Sequence, residues 1–182
     1  MIGHPPDHMT GPRLLLHPPR LDDADALYAT VARDPEVTRY LLWTPHPDVA
    51  ETRRVITELF NISDEERTWL IAPRDGDDVV GLISCRRRAR HSVELGYCLG
   101  RTWWGMGFMS EALTLLLAEL AADTEVYRVW ATCHVDNERS AHLLQRSGFA
   151  LEGRLNRYAV YPTMGPDPVT ACSTPRSCGS PR

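Results

Sequence analysis

The stretch RTWWGMGFMSEAL, Arg101 to Leu113, sets Gly105 and Gly107 directly before an apolar, helix-like run. A glycine costs backbone entropy, so a pair at this place marks a sharp turn or a close approach to the main chain. The first turn of a helix carries N–H groups with no internal acceptor, at the positive end of the helix dipole. Glycines there let a phosphate reach that backbone, which is one reading of the loop; a tight strand-to-helix turn is the other. Two phosphate loops are excluded. A P-loop requires Gly-Lys followed by Ser or Thr, and all 20 basic residues of this chain are arginines. A dinucleotide fingerprint would place its third glycine where Ser110 stands and would follow a strand of a parallel unit.

A second group lies in CHVDNERSAHLLQRSG, Cys133 to Gly148. Asn137 and Ser140 are three apart, hence on one face of a helix start. Asn137 either caps that helix or bonds a ligand, and Ser140 is either an ordinary first-turn serine or a proton donor. Cys133 on the preceding strand is read as packing or as an active-site thiol. His134 has no second ligand at metal spacing. In SVELGYCL the residues Val93, Leu95, Tyr97 and Leu99 alternate with Ser92, Glu94, Gly96 and Cys98, so Glu94 sits on the more polar face of a strand.

These groups need elements to hold them. RLLLHP reads as an edge strand stopped by Pro18 and Pro19. Helices are expected over DADALYATVAR, DPEVTRYLLW and Asp48 to about Asn61, with Pro35 one residue after Asp34 as a helix start. RTWLIAP, DDVVGLISCRR and SVELGYCL form an antiparallel meander, with RDGDD as a turn. Met109, Ala112, Leu113, Leu116, Leu117 and Leu120 stripe one helix, with Trp103 and Trp104 anchoring its loop by packing. A strand over Val126 to Cys133, a helix closed by Gly148 and a strand from Phe149 follow, suggesting an α/β layer with a partly parallel sheet.

Length and composition agree with one globular domain. The chain has 182 residues, 43% hydrophobic and 24% charged, and a net charge of −4 that gives no pull towards nucleic acid. RRRAR, Arg86 to Arg90, reads as a charged hairpin tip rather than an RNA-binding patch. Its 5 cysteines, none in a close pair, argue for free thiols and against a zinc site or a disulfide framework. No apolar run approaches the roughly 18–20 residues that span a bilayer, and the N-terminal residues lack a signal-peptide core, so a cytoplasmic protein is expected.

The segments ELGYCLGRTWWGMGFMSEAL and CHVDNERSAHLLQRSGFALEG together are similar to the two halves of the acetyl-CoA site in the GNAT superfamily of N-acetyltransferases, RimJ/RimL-like branch. The resemblance extends from about Arg13 to about Pro168 and is carried by the ordered pair WGMGF…EAL and N..S…L…GF. It implies an α/β (α+β) fold with a mixed, mostly antiparallel sheet flanked by helices, in which two neighbouring strands splay around the pantetheine arm. Tyr97, Cys98 and Leu99 would bind that arm, as an added strand binds an edge. The N–H groups from Thr102 to Gly107, with Trp104, Gly105, Met106 and Gly107 among them, would hold the pyrophosphate. Thr102 falls where the family carries Gln or Arg. Asn137 would bond the cofactor and Ser140 would protonate the leaving thiolate.

Acyl transfer to an amine requires a base, and Glu94 on the strand beside the splay is the candidate; a solvated carboxylate is its alternative. An N–H near Cys98 or Leu99 would stabilise the oxyanion. Glu111 is read as a dipole partner, and Trp43 as acceptor-pocket wall or as core. The expected activity is transfer of acetyl from acetyl-CoA to a primary amine by direct attack, without a metal. The acceptor is a ribosomal or other protein N-terminus, or a small amine.

The resemblance implies a further strand beyond GPDP, where this chain reads VTACSTPRSCGSPR. Proline and small polar residues speak against a central strand. The expectation is therefore a domain over 1–168 lacking its last strand, and a disordered tail over 169–182 such as a shifted reading frame would produce. On that ground, and on the departure at Thr102, a degenerate, non-catalytic acyl-CoA-binding protein is the rival function; weakened stability is expected with it.

Overall fold

The computed structural model describes residues 5–76 and 78–178. Met9–Thr10 (β1) pairs with Leu14–His17 (β2), so the RLLLHP segment lies second in the sheet, with the two residues of β1 covering its outer edge. The chain then runs through Ala24–Leu27 (α1), which widens into a π-turn over Tyr28–Ala32, then Pro35–Thr38 (α2) and Val49–Glu58 (α3). Aspartates start the latter two: Asp34 accepts the Glu36 N–H at 2.9 Å and Asp48 the Glu51 N–H at 3.0 Å. The DPEVTRYLLW helix is one turn long.

Glu66–Pro73 (β3), Gly81–Ala89 (β4) and Ser92–Leu99 (β5) form the expected antiparallel meander. The turn between β3 and β4 includes residue 77, which lies outside the described residues. Next come Phe108–Ala122 (α4), Arg128–His134 (β6) and Glu138–Arg146 (α5), then Gly153–Val160 (β7) and Pro168–Ser177 (β8).

All the strands form one sheet in the order β1-β2-β3-β4-β5-β6-β8-β7. Among the described residues its one parallel pairing is β5 with β6. Each face carries its own core. Leu113, Leu116 and Leu120 of α4 and Leu144 of α5 pack with Val93, Leu95, Val129 and Ala131 on one side. Leu27, Val31, Val37 and Ile56 of the early helices pack with Leu70, Val79 and Cys98 on the other. Each fully buried large aliphatic side chain here contributes about 1.5–3 kcal/mol.

The C-terminal expectation is overturned. Pro168–Ser177 is not a tail but a central strand, antiparallel to both β6 and β7, so no last strand is missing. Backbone hydrogen bonding is indifferent to small side chains, and this strand is flanked by partners on both sides. Pro168 is its first residue, where a missing N–H is tolerated. Pro175 turns its carbonyl away from β6 to accept the Ala150 N–H at 3.0 Å. Nitrogen and carbonyl of one strand residue face the same side, so no bond to β6 is lost. Residues 179–182 lie outside the described chain. The strand expected from Phe149 begins at Gly153, because Phe149 is buried and donates its N–H to Leu144 at the end of α5.

Candidate active site

Pairing between β5 and β6 stops at Leu95 and Ala131. Beyond it, β5 stays with β4 as far as Leu99, and β6 stays with β8 as far as His134, so the two strands separate. Backbone groups on β5 alternate between its two neighbours. Gly100 donates to Val80 at 2.7 Å, and the register then directs the peptide groups of Cys98 to Leu82 of β4. Tyr97 and Leu99 face the gap. Of the three residues expected to offer backbone there, Cys98 is committed elsewhere. The Leu99 carbonyl accepts the Trp104 indole N–H at 2.7 Å, which ties the following loop to the strand end and leaves the Leu99 N–H and both Tyr97 groups on the open edge.

The loop then delivers a row of donors. Gly105 and Gly107 have φ of +78° and +81°, a left-handed conformation that other residues adopt only with strain. No side chain caps α4, and from Gly105 to Ser110 no main-chain N–H finds an acceptor among the described residues. Alternating backbone conformations that turn successive N–H groups to one side make an anion-binding concavity. Thr102 lies in an exposed turn beside it, and Met106 is half exposed with its carbonyl turned the other way, accepting from Arg13 at 2.9 Å.

Arg13 is a residue that sequence reasoning missed. Its guanidinium binds both Met106 O and Glu111, and its N–H donates to Glu111 at 2.8 Å. Glu111 thereby anchors β2 to the loop and to α4, a tertiary role beyond the helix dipole. No local signal links positions 98 residues apart.

Across the gap, Asn137 accepts the Ser140 N–H at 3.1 Å and so caps α5. That cap holds the Ser140 hydroxyl 2.8 Å from the Tyr97 phenol, which burial keeps protonated well above its usual range. Ser140 also lies within hydrogen-bonding reach of Cys133, whose thiol is pushed up to about 11, chiefly by burial. A thiol so protonated is a poor nucleophile at neutral pH. The tyrosine hydroxyl is the second missed group, legible only once β5 and α5 meet. His134 is buried between Tyr40 and Tyr161 and accepts the Asp136 N–H. Among the described residues no cluster suited to a metal occurs.

Glu94 lies on the other sheet face, in an ion pair with Arg88 and with its side chain only 15% exposed. The other arginines of the RRRAR stretch are paired too, Arg86 with Glu66, Arg87 with Asp123 and Arg90 with Glu125, so the stretch is a neutralised rim. A groove of about 1760 Å³ runs through the gap and joins the two faces. Glu94, Tyr97, Leu99, Trp104, Gly105, Gly107, Asn137 and Ser140 all line it, as does Trp43, which also packs against the early-helix core. Thr102 and Met106 stand outside the lining. The arrangement can hold an extended amide chain along β5, an anion at the loop, and a second reactant near Glu94.

A family model described as "Acetyltransferase (GNAT) domain" matches residues 13–150. The chain is 34% identical over 150 residues to "Uncharacterized N-acetyltransferase p20" of Bacillus licheniformis, covering 80% of this chain and 84% of that protein. It is 33% identical over 105 residues to the "[Ribosomal protein uS5]-alanine N-acetyltransferase" of Escherichia coli, covering 56% and 54%. Mycobacterium smegmatis RimJ, solved in complex with CoA-disulfide, shares the fold at a TM-score of 0.82 and 22% identity, over 96% of this chain and 90% of that one. Among the described residues no helix is long and apolar enough to cross a membrane.

Proposed function

The chain belongs to the GNAT acetyltransferase family, and within it we propose a RimJ/RimL-like enzyme that acetylates the α-amine of a protein N-terminus, a ribosomal protein among the candidate acceptors. Its reaction is transfer of an acetyl group from acetyl-CoA to an amine. The observation that carries the residue-level reading is the continuity of the open β5 edge at Tyr97 and Leu99 with the unpaired N–H groups of Gly105 to Ser110. An amide chain ending in a diphosphate needs that sequence of partners in that order. The rival of a non-catalytic binding protein rested on a missing strand and on Thr102 in place of the family's Gln or Arg, and β8 removes the first of these grounds.

In this reading the Tyr97 and Leu99 backbone aligns the pantetheine amides, and the loop N–H groups hold the pyrophosphate. Cys98 supports β5 through β4. Trp104 fixes the loop by its bond to Leu99, and Thr102 and Met106 shape the turn without side-chain contact. Glu94 receives a proton from the acceptor ammonium, so that a neutral amine attacks the thioester carbonyl. Of the open-edge donors, the Tyr97 N–H, the one farther from the diphosphate loop, is available to the developing oxyanion. As the carbon–sulfur bond breaks, the Ser140 hydroxyl gives its proton to the leaving thiolate, and Asn137 acts by holding α5 in place. The open groove, continuous past Trp43, accommodates a peptide end as well as a small amine.

The test is titration calorimetry with acetyl-CoA followed by free-thiol release over alanyl peptides, seryl peptides and small amines. Micromolar binding with turnover on peptides supports the proposal; turnover on small amines alone overturns the acceptor assignment. Glu94→Gln should lower kcat by roughly 100-fold with acetyl-CoA binding nearly unchanged. Unchanged kinetics would remove Glu94 as the base.

A further inference from the structure

Of the chain's 5 cysteines, all free thiols, two become register partners when β8 pairs with β6: Cys133 stands opposite Cys172. Register partners of an antiparallel pair point to the same face of the sheet, and both thiols pack into the core shared with α4 and α5. The Cys178 N–H donates to Tyr127 O at 3.0 Å and the Val135 N–H to Thr170 O at 3.4 Å, so alternate pairs of this ladder, Cys133 with Cys172 among them, are the hydrogen-bonded ones. Such pairs hold their Cα atoms about 5.5 Å apart, a separation that a disulfide spans without moving the backbone. The other three thiols have no such partner: Cys85 stands between Arg67 and Leu95, Cys98 opposite Leu82, and Cys178 opposite Tyr127. Tyr161 lies close to both sulfurs of the pair; burial above all, with Cys133, Tyr158 and Cys172 nearby, pushes its phenol up to about 12.

The two thiols are unequal. Cys172 is half-buried, whereas Cys133 is 6% exposed and within hydrogen-bonding reach of Ser140. From that pairing we infer that Cys133 and Cys172 are a reversible oxidation site, which hydrogen peroxide closes into a disulfide that slows acetyl transfer. In the first step the Cys172 thiolate attacks one peroxide oxygen and the O–O bond breaks. The departing hydroxide takes up the proton that Cys172 released, leaving a sulfenic acid and one water. In the second step the Cys133 sulfur attacks the Cys172 sulfur, the S–O bond breaks, and the hydroxyl leaves as water with the Cys133 proton. The two thiols lose two electrons and two protons, and the peroxide is reduced to two waters. Cys133 is a poor nucleophile towards a dissolved reagent, but the ladder holds it against its partner, so the second step is intramolecular. A bond to Cys172 turns the Cys133 sulfur along the sheet, away from the Ser140 hydroxyl that gives its proton to the leaving thiolate. A dithiol reductant reverses the bond by exchange. The effect on turnover rests on the acetyltransferase reading above; the thiol chemistry does not.

The experiment exposes the full chain to hydrogen peroxide, removes the peroxide, blocks the remaining free thiols and maps all five cysteines by mass spectrometry. The expected product is a linked pair of peptides carrying Cys133 and Cys172, about 2 Da lighter than the two reduced peptides together. Turnover, followed by acetyl-peptide formation, should fall about 10-fold or more and return with dithiothreitol. Cys172→Ser should keep its turnover through the same treatment. Absence of the disulfide, or Cys172 carried on to sulfinic or sulfonic acid with Cys133 still free, overturns the inference on the wild type alone. So does a mapped disulfide with kcat unchanged, or an equal loss of turnover in a folded Cys172→Ser variant. A reduced wild type that turns over no amine would instead overturn the acetyltransferase reading, while the disulfide map would still decide whether the two thiols pair.

Discussion

Two strand-to-helix turns flank the gap, β5 into α4 and β6 into α5, and they treat their backbone donors in opposite ways. The first has left-handed glycines and, among the described residues, no capping side chain and a row of N–H groups without acceptors. The second has Asn137, whose side chain satisfies the Ser140 N–H, and it presents a hydroxyl instead. Both place a helix start at the mouth of the same groove. The difference is that an uncapped start holds a ligand's charge, whereas a capped one holds a side chain in position. In the proposed mechanism, binding and chemistry are thereby divided between two turns of the same kind.

The division can be broken from either side. Gly107→Val should have the largest effect: a branched residue at φ +81° is strained, and its Cβ would stand 3.1 Å from the Arg13 guanidinium. Acetyl-CoA affinity should fall roughly 100-fold or more by calorimetry, since the cradle's geometry is lost. On the second turn, Ser140→Ala should lower kcat about 10- to 100-fold with little change in acetyl-CoA affinity. Equal losses in binding from both substitutions would dissolve the contrast. Asn137→Ala should cost about 1 kcal/mol of stability in denaturant melts, the usual value of such a cap, with a smaller effect on donor affinity than Gly107→Val.

In one respect the two arms of the gap agree. Cys98 on β5 and Cys133 on β6 are thiols pushed up by burial, to about 12 and about 11 from an ordinary 9.0. The folded state keeps protons that the unfolded chain releases above pH 9. Their contribution is fully present below that pH and is lost as pH rises towards 11–12. Melting temperature should thus decline through this window, and Cys98→Ala/Cys133→Ala should show a shallower decline.

Much of the candidate site was readable because its signals are local. Gly105 and Gly107 next to an apolar stripe announce a special helix start, and Asn137 three residues before Ser140 announces a cap. The meander was equally plain from alternation in β3 to β5. What misled was β8, where VTACSTPRS lacks the branched and aromatic residues that mark a strand. Its place is fixed by partners on both sides, and Pro175 is harmless because it faces away from β6. Arg13 and Tyr97 were invisible as partners for another reason: Glu111 is 98 residues from the first and Ser140 is 43 residues from the second.

The sequence by itself determined the helix starts, the alternating strands and the family to which the chain belongs, since each depends on neighbours within a turn or two. Only the tertiary structure decided where β5 and β6 part, which peptide groups face the gap, and that the C-terminal segment closes the sheet. Those outcomes depend on register and on backbone groups that all residues carry alike, and no side-chain pattern records them.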